Sequence, residues 1–173
     1  MKKIKATLIS EKVTSNTIEA QNLFETSRFG EKFGEKILYS LPEALFLIEN
    51  KKMNILDYHG IKLLQKDILK KFEKIDKKFK TKYIVFKDLR KKGYIVKTAL
   101  KFGAEFRVYD KGEKIKKSHS KWILFPISEN KQITWQDFAA KNRIAHSTKK
   151  NLLIAVADEE GDVSYYEVKW VLP

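Results

Sequence analysis

Tyr109 and His119 are the two side chains of this 173-residue sequence whose types and spacing most suggest chemistry. Histidine exchanges protons near neutral pH, so it is the commonest general acid or base in proteins. His119 stands in the polar segment Lys-Ser-His-Ser, and Tyr109 ends an apolar run ten residues earlier. Loop residues carried by rigid strands often form sites. From these residues alone, an exposed loop histidine and a strand-end tyrosine with its ring in the core are the favoured explanation.

Two further histidines and several lysines complete the set of candidates. We expect His59, near a turn, to be structural, and His146, within Arg-Ile-Ala-His-Ser, to pack or hydrogen-bond near the site. A tyrosine is a poor base at neutral pH unless nearby cations favour its phenolate. The cations that could assist Tyr109 in this way are Lys111, Lys114 and Lys150.

The elements that would hold these residues can be predicted from residues 83–171. Tyr83, Phe86 and Leu89 are spaced three apart and predict a helix, with Gly93 placed to end it. Runs of β-branched and aromatic residues predict the strands. The predicted elements are strands 94–98, 105–109, 122–125 closed by Pro126, 143–147, 152–157 and 163–171, and a helix from Trp135, capped by Thr134, to about Asn142.

Residues 4–40 read as short strands and turns, with strands expected at 5–9 and 36–39. Ser40 to Glu43 is a capping box with proline in the first turn, which predicts a helix to about Glu49. We expect this helix to bury Leu41, Leu45 and Ile48. A short strand is expected at 55–58. A longer helix should follow Gly60, with an apolar stripe formed by Leu64, Ile68, Phe72, Ile75 and Phe79.

Composition limits the classes of function. Thirty-six basic and 22 acidic residues give a net charge of +14, which predicts attraction to polyanions, although a lysine-rich solvated surface gives the same number. The chain has no cysteine, which excludes disulfides and thiolate metal sites. No apolar run is long enough for a signal peptide or a membrane span. We therefore expect a soluble cytoplasmic protein that does not associate with membranes.

The joint pattern of these segments resembles the catalytic domain of archaeal tRNA-splicing endonucleases. The segments are GYIVKTALKFGAEFRVYDKG, the SHS around His119, and RIAHSTKKNLLIAVADEEGD. The resemblance is close over 83–173 and weaker at Ser27–Glu31 and Ser40–Glu49. It implies an α/β (α+β) fold, with a small mixed α+β N-terminal domain and a C-terminal nuclease domain whose mixed β-sheet is flanked by helices. With the lysine-rich KKFKTK run, it predicts domains at 1–81 and 82–173.

The resemblance implies cleavage of precursor tRNA at a bulge–helix–bulge, without metal or cofactor, leaving 2′,3′-cyclic phosphate and 5′-hydroxyl ends. Attack by a 2′-hydroxyl on the neighbouring phosphate requires a base, an acid for the leaving oxygen and positive charge at the phosphate. Matched residue by residue, Tyr109 is the base, His119 the acid and Lys150 the cation. Lys149 competes for the last position, and a solvated lysine pair explains both.

The resemblance also implies RNA-binding residues. Arg143 matches a cation that stacks on a bulged base together with a second basic side chain. The second cation corresponds to Lys169, beside Trp170, where we would have expected arginine.

An acidic turn interrupts this basic chain and consists of Asp158, Glu159, Glu160 and Asp162. It lacks the register of an EF-hand calcium loop, and a solvated hairpin tip explains it without function. The resemblance instead implies a docking loop that enters a basic groove of another subunit, while the C-terminal strand pairs subunits into dimers. We expect a homotetramer, built as a dimer of dimers, or a heterotetramer with a structural subunit.

Three other functions are compatible with a basic α/β chain. It would be a non-catalytic structural subunit of the same complex if the three catalytic residues were absent, but all three residue types are present. A generic basic RNA-binding module would bind without cleaving. A metal-dependent DNA nuclease would need paired acids, and Asp88, Glu105 and Asp110 do not form a convincing set.

Overall fold

A computed structural model describes residues 2–112 and 119–171. The chain divides into two compact units, Met1–Lys80 and Thr81–Pro173. Each unit contains a five-stranded sheet with mixed strand directions, and the described residues include five α-helices, so the fold is α+β as predicted. Among the described residues, no helix combines the length and the hydrophobicity that crossing a membrane requires.

The first unit packs helices against a sheet with strand order β3-β4-β2-β1-β5, in which only the β1–β5 pair is parallel. Its elements are β1 (Ile4–Ile9), β2 (Lys12–Ser15), α1 (Ile18–Ser27), β3 (Glu31–Phe33), β4 (Lys36–Tyr39), α2 (Leu41–Glu49), β5 (Met53–Leu56) and α3 (Gln65–Ile75).

Helix α1 was not predicted, because we expected only strands and turns over 4–40. The Thr17 side chain accepts a hydrogen bond from the Ala20 amide and so caps the helix N-terminus. At the other end Arg28 adopts the left-handed conformation with φ 59°. Only Ala20 and Leu23 of this helix are buried, so its apolar stripe is too narrow to stand out in the sequence.

The capping box of α2 is confirmed, and the Glu43 carboxylate is buried. Its oxygens accept hydrogen bonds from the amides of Gly30 and Ser40, each at 3.0 Å. Gly30 has φ 76°, and a Cβ there would lie 2.3 Å from Cγ2 of Ile37. The prediction that Ile48 is buried was wrong, because Leu47 faces the core and Ile48 is half-buried.

Two boundaries in the rest of this unit were also wrong. Strand β5 ends at Leu56 because the Asp57 side chain accepts hydrogen bonds from the amides of His59 and Ile61 and closes a turn. The long helix is interrupted after Ile75, where the Asp76 side chain accepts from the Lys78 amide. The predicted stripe therefore spans two helices, and its first residue, Leu64, is 58% exposed.

The second unit has a sheet with order β10-β9-β8-β7-β6, in which β8 and β9 are parallel and the other pairs are antiparallel. Its elements are α4 (Phe79–Lys91, which begins in the first unit), β6 (Ile95–Thr98), a 3-10 turn (Leu100–Phe102), β7 (Phe106–Tyr109), β8 (Trp122–Ser128), α5 (Trp135–Ser147), β9 (Asn151–Ala157) and β10 (Val163–Val168).

The two faces of this sheet pack on different helices. On one face Phe106 contacts Phe86 of α4, and the Tyr165 hydroxyl donates to Asp88 of α4. On the other face Ala145 of α5 joins a buried cluster with residues of β8 and β9, including Ile123 and Leu152. The two helices therefore enclose a mixed sheet, as predicted.

Two predictions in the second unit were wrong. Residues 143–147 are not a strand, because α5 continues to Ser147 and Ala145 packs on the sheet from its helical face. Pro126 does not close β8, which runs on to Ser128. The neighbouring β7 pairs only as far as Leu124, so a proline without an amide hydrogen leaves no gap in that ladder.

Candidate active site

One edge of the second sheet collects the residues that the sequence singled out. Val108, Trp122 and Asn151 lie opposite one another on β7, β8 and β9. One step outward in register are Tyr109, Lys121 and Lys150. Adjacent strands are about 4.8 Å apart, so the backbones of Tyr109 and Lys150 are separated by about 10 Å. The tyrosine and the lysine are therefore brought to the same edge.

Tyr109 ends β7 and is only 5% exposed. It shares the sheet face of Arg107, whose guanidinium carbon lies 5.9 Å from the tyrosine ring centre. Of the cations expected to assist it, Lys111 instead places its ammonium 4.9 Å over the Tyr94 ring. Lys114 lies outside the described residues.

His119 is exposed and lies at the same edge, two residues before Lys121 in the segment that leads into β8. The next residue, Ser120, is buried, so the chain is held by the protein directly after the histidine. An exposed imidazole on an anchored segment is suited to exchanging a proton with a ligand at this edge.

Lys150 and Lys149 differ in structural role. Helix α5 ends in a Schellman motif, in which the Lys149 amide donates to the His146 carbonyl and the Lys150 amide to the Ala145 carbonyl, each at 2.9 Å. Lys149 occupies the left-handed position with φ 55°. Lys150 is thereby aimed along the start of β9, and its ammonium donates to the Thr148 carbonyl at 3.2 Å.

A concave surface lies beside Lys150. A cavity of about 320 Å³ is lined by both lysines of the pair together with His146, Lys169 and Trp170. An adjoining cavity of about 310 Å³ shares Lys169 and Trp170 and adds Arg143. The structure thus brings the three predicted RNA-binding residues together and places them next to Lys150.

His146 packs at this surface, as expected from the sequence, although its partner Trp170 was not foreseen. Its ring lies 4.4 Å from the Trp170 ring, at an angle of 36°. Arg143 and His146 are three residues apart on α5 and therefore share one helix face. The strand predicted at 143–147 would place Arg143 and His146 on opposite faces, because side chains alternate along a strand. Their shared face therefore follows only from the helix.

Glu167 was also missed. Its carboxylate accepts hydrogen bonds from the Trp122 indole at 2.7 Å and the Asn151 amide group at 3.1 Å, and it pairs with Lys169 at 3.3 Å. The hydrogen bond from Trp122, followed by the contact with Lys169, lowers the pKa of Glu167. Trp122 and Asn151 are far from Glu167 in sequence, and only the strand pairing brings them to it.

The acidic turn is a well-organised hairpin tip. The Asp158 side chain accepts hydrogen bonds from the amides of Gly161 and Asp162, and the Glu159 amide donates to Glu129. Carboxylate oxygens of Asp158, Glu160 and Asp162 lie within 4.8 Å of one another. The turn therefore projects concentrated negative charge from a basic protein.

Comparison with known proteins assigns both units to one family. The profile of the tRNA intron endonuclease N-terminal domain matches residues 4–68, and that of the catalytic C-terminal domain matches residues 79–165. The chain is 40% identical to the tRNA-splicing endonuclease of Pyrococcus horikoshii over 98% of both chains. It is 42% identical to that of Thermococcus onnurineus, over 86% of this chain and 85% of the relative. It is 38% identical to that of Nanoarchaeum equitans, over 83% and 99%.

Proposed function

Because the chain belongs to the tRNA intron endonuclease family, we propose that it is a tRNA-splicing endonuclease. It cleaves precursor tRNA at bulge–helix–bulge splice sites by a metal-independent, lyase-type reaction that uses no cofactor. The products carry 2′,3′-cyclic phosphate and 5′-hydroxyl ends. The observation that best supports this is the strand register that aligns Tyr109 with Lys150 at the edge where His119 leads into β8.

In the proposed reaction the RNA supplies its own nucleophile. Tyr109, as the phenolate, removes the proton from the 2′-hydroxyl, whose oxygen then bonds to phosphorus. The bond from phosphorus to the 5′-oxygen breaks, and His119 donates a proton to that oxygen. Lys150 stabilises the additional negative charge on the phosphate oxygens in the transition state. Solvent exchange then returns a proton to His119 and removes one from Tyr109.

The concave surface beside Lys150 is the proposed binding site for the bulge nucleotides. Trp170 is 49% exposed, which leaves its ring accessible to a base. Aromatic rings and arginine planes stack on splayed bases, and Arg143 and Lys169 supply positive charge to the same cavity. His146 packs against the Trp170 ring, with the ring centres 4.4 Å apart.

The proposed assembly is a homotetramer. The acidic turn, Asp158 to Asp162, would dock into a basic groove of another copy, and the exposed edge of β10 would pair two copies into a dimer. Assembly with a separate structural subunit is the alternative, since a catalytic chain in either assembly could carry both features.

The test is cleavage of a bulge–helix–bulge precursor tRNA by the purified chain in excess chelator, followed by analysis of the fragment ends. We expect cyclic phosphate and 5′-hydroxyl ends, and a rate loss of about 10² to 10⁴ for His119→Ala. His59→Ala, an exposed loop histidine of the first unit, is the matched control and should cleave like the wild type.

Two outcomes would change the proposal. A requirement for magnesium, or full activity of the His119 variant, would refute the acid–base assignment. Cleavage only after a second subunit is added would keep the mechanism and replace the homotetramer with a heterotetramer.

A further inference from the structure

Glu167 connects the ends of three strands. It lies near the end of β10, and its three partners are Trp122, the first residue of β8, Asn151, the first residue of β9, and Lys169, which follows β10. Two of these contacts span 45 and 16 residues of sequence. One carboxylate therefore links the starts of β8 and β9 to the segment after β10. Strand ends open more easily than strand centres, so these contacts add order where strand pairing is weakest.

Two described partners of Glu167 are close sequence neighbours of residues in the proposed site, and the third, Lys169, belongs to that site. Asn151 directly follows Lys150, and Lys169 directly precedes Trp170. Trp122 follows His119 by three residues. A side chain that fixes these backbone segments also fixes the distance between the catalytic lysine and the base-stacking surface. An error of about 1 Å in such a distance can slow a reaction by up to about 10²-fold.

The charge of Glu167 strengthens all three contacts. Bonds in which one partner is ionised are shorter and stronger than neutral ones. The hydrogen bond from Trp122 and the contact with Lys169 keep the pKa of this carboxyl below its usual range, so it is ionised at neutral pH. Lys121, whose ammonium lies 4.3 Å over the Trp122 ring, adds positive charge on the same side.

Asp88 offers a contrast on the same sheet face. It accepts a hydrogen bond from Tyr165, two residues before Glu167, and pairs with Lys92, so it joins β10 to α4. It has no described contact with Trp122, Asn151 or Lys169. Removing its charge should therefore weaken the fold without loosening the three strand ends.

We propose that Glu167 is a positioning residue of the RNA-cleaving site, which holds the starts of β8 and β9 and the segment after β10 in register. This role rests on the proposed function. Glu167 acts through Lys150 and Trp170 and does not itself contact the reacting atoms.

The experiment measures single-turnover cleavage of the precursor at saturating protein for Glu167→Ala, Glu167→Gln and Asp88→Asn. We expect Glu167→Ala to lower the saturated rate by about tenfold and to weaken RNA binding. Glu167→Gln should recover part of the rate, because its amide oxygen still accepts from Trp122 or Asn151. Asp88→Asn should lower the melting temperature and leave the saturated rate unchanged.

A second variant tests the contact itself. Trp122→Phe keeps an aromatic ring and removes the indole donor, so it should lower the rate in the same direction and add little when combined with Glu167→Ala. A wild-type saturated rate for Glu167→Ala, or a rate loss no greater than that of Asp88→Asn, would overturn the proposal.

Failure of the proposed function can be told apart from failure of the contact. Hydrogen exchange of the Trp122 indole, assigned with Trp122→Phe in protein labelled at its three tryptophans, needs no RNA. Faster exchange in Glu167→Ala than in Asp88→Asn would confirm the contact. If the wild type failed to cleave both alone and with a structural subunit, the proposed function and the positioning role would both be wrong, whatever the exchange result.

Discussion

Replacing Tyr165 with phenylalanine removes one atom from the junction between β10 and α4. The Tyr165 hydroxyl donates to Asp88 at 2.6 Å, and Lys92 both pairs with Asp88 at 2.7 Å and lies 5.0 Å over the Tyr165 ring. Hydrogen bonds to charged groups contribute about 1.5–3 kcal/mol. Because Asp88 keeps Lys92 and remains 28% exposed, we expect a loss of about 1–1.5 kcal/mol of unfolding free energy at pH 7.

The same contact predicts how this loss depends on pH. Burial, and then the hydrogen bond to the Asp88 carboxylate, raise the pKa of Tyr165 above its usual value. The folded state therefore holds this proton more tightly than the unfolded state. The stabilisation is complete below about pH 10 and declines above it, by about 1.4 kcal/mol at pH 11. The difference between wild type and Tyr165→Phe should consequently shrink towards zero at pH 11.

Urea unfolding followed by tryptophan fluorescence is a suitable assay, because Trp122, Trp135 and Trp170 all lie in the second unit. Tyr166→Phe is the matched control, since Tyr166 is the next residue of β10 and is 58% exposed. It should unfold like the wild type at both pH values. A Tyr165→Phe variant as stable as the wild type at pH 7, or a difference that persists at pH 11, would refute this reasoning.

Three further perturbations test separate parts of the structure. Gly30→Ala should lower the free energy of unfolding by about 2–4 kcal/mol, because Gly30 has a positive φ and an added Cβ would meet Ile37. Gly34 also has a positive φ but has open space around it, so Gly34→Ala should cost about 1–2 kcal/mol. Equal losses for the two variants would contradict this prediction. Trp170→Ala should weaken precursor binding by about 5- to 150-fold in a filter-binding assay, unlike the exposed Trp135→Ala. Glu160→Lys should reduce the assembly to a smaller oligomer in light scattering, and an unchanged mass would argue against docking by the acidic turn.

Several features of the fold could be predicted because the sequence marks them with strong local signals. The capping box at Ser40 started α2 where expected, and Gly93, with φ 91°, follows α4. The strand that ends at Tyr109 and the strand that follows Lys150 were predicted from β-branched and aromatic runs. Their convergence at one edge was expected only from the family resemblance, and it requires a parallel β8–β9 pair that no local pattern specifies.

The missed helix ends share a physical cause. Helix α1 ends at Ser27 and is followed by Arg28 with φ 59°, and α5 ends at Ser147, two residues before Lys149 with φ 55°. Glycine is the usual residue at a left-handed helix end, and neither helix has one there. Without that signal, the sequence Arg-Ile-Ala-His-Ser predicts a strand instead of the last turns of α5. The amides of Lys149 and Lys150 donate to α5 carbonyls and end the helix without a glycine. These hydrogen bonds cannot be recognised from the sequence.

The Glu167 contacts could not have been predicted from the sequence. In the strand 163–171, Glu167 looks like one solvent-facing residue among alternating positions. Its partners depend on the order of β8, β9 and β10, so that a polar side chain on an outer strand reaches the first residues of two inner ones. The domain boundary at 81/82 and the roles of the site residues remain predictions.

The most direct test of the proposed mechanism replaces the bridging 5′-oxygen at the splice site with sulfur. A thiolate leaves without protonation, so the need for a general acid disappears while the need for a base remains. We expect the modified precursor to restore most of the rate lost in His119→Ala and little of the rate lost in Tyr109→Phe. Equal losses for His119→Ala on the oxygen and sulfur substrates would contradict the assignment of His119 as the acid that protonates the leaving group.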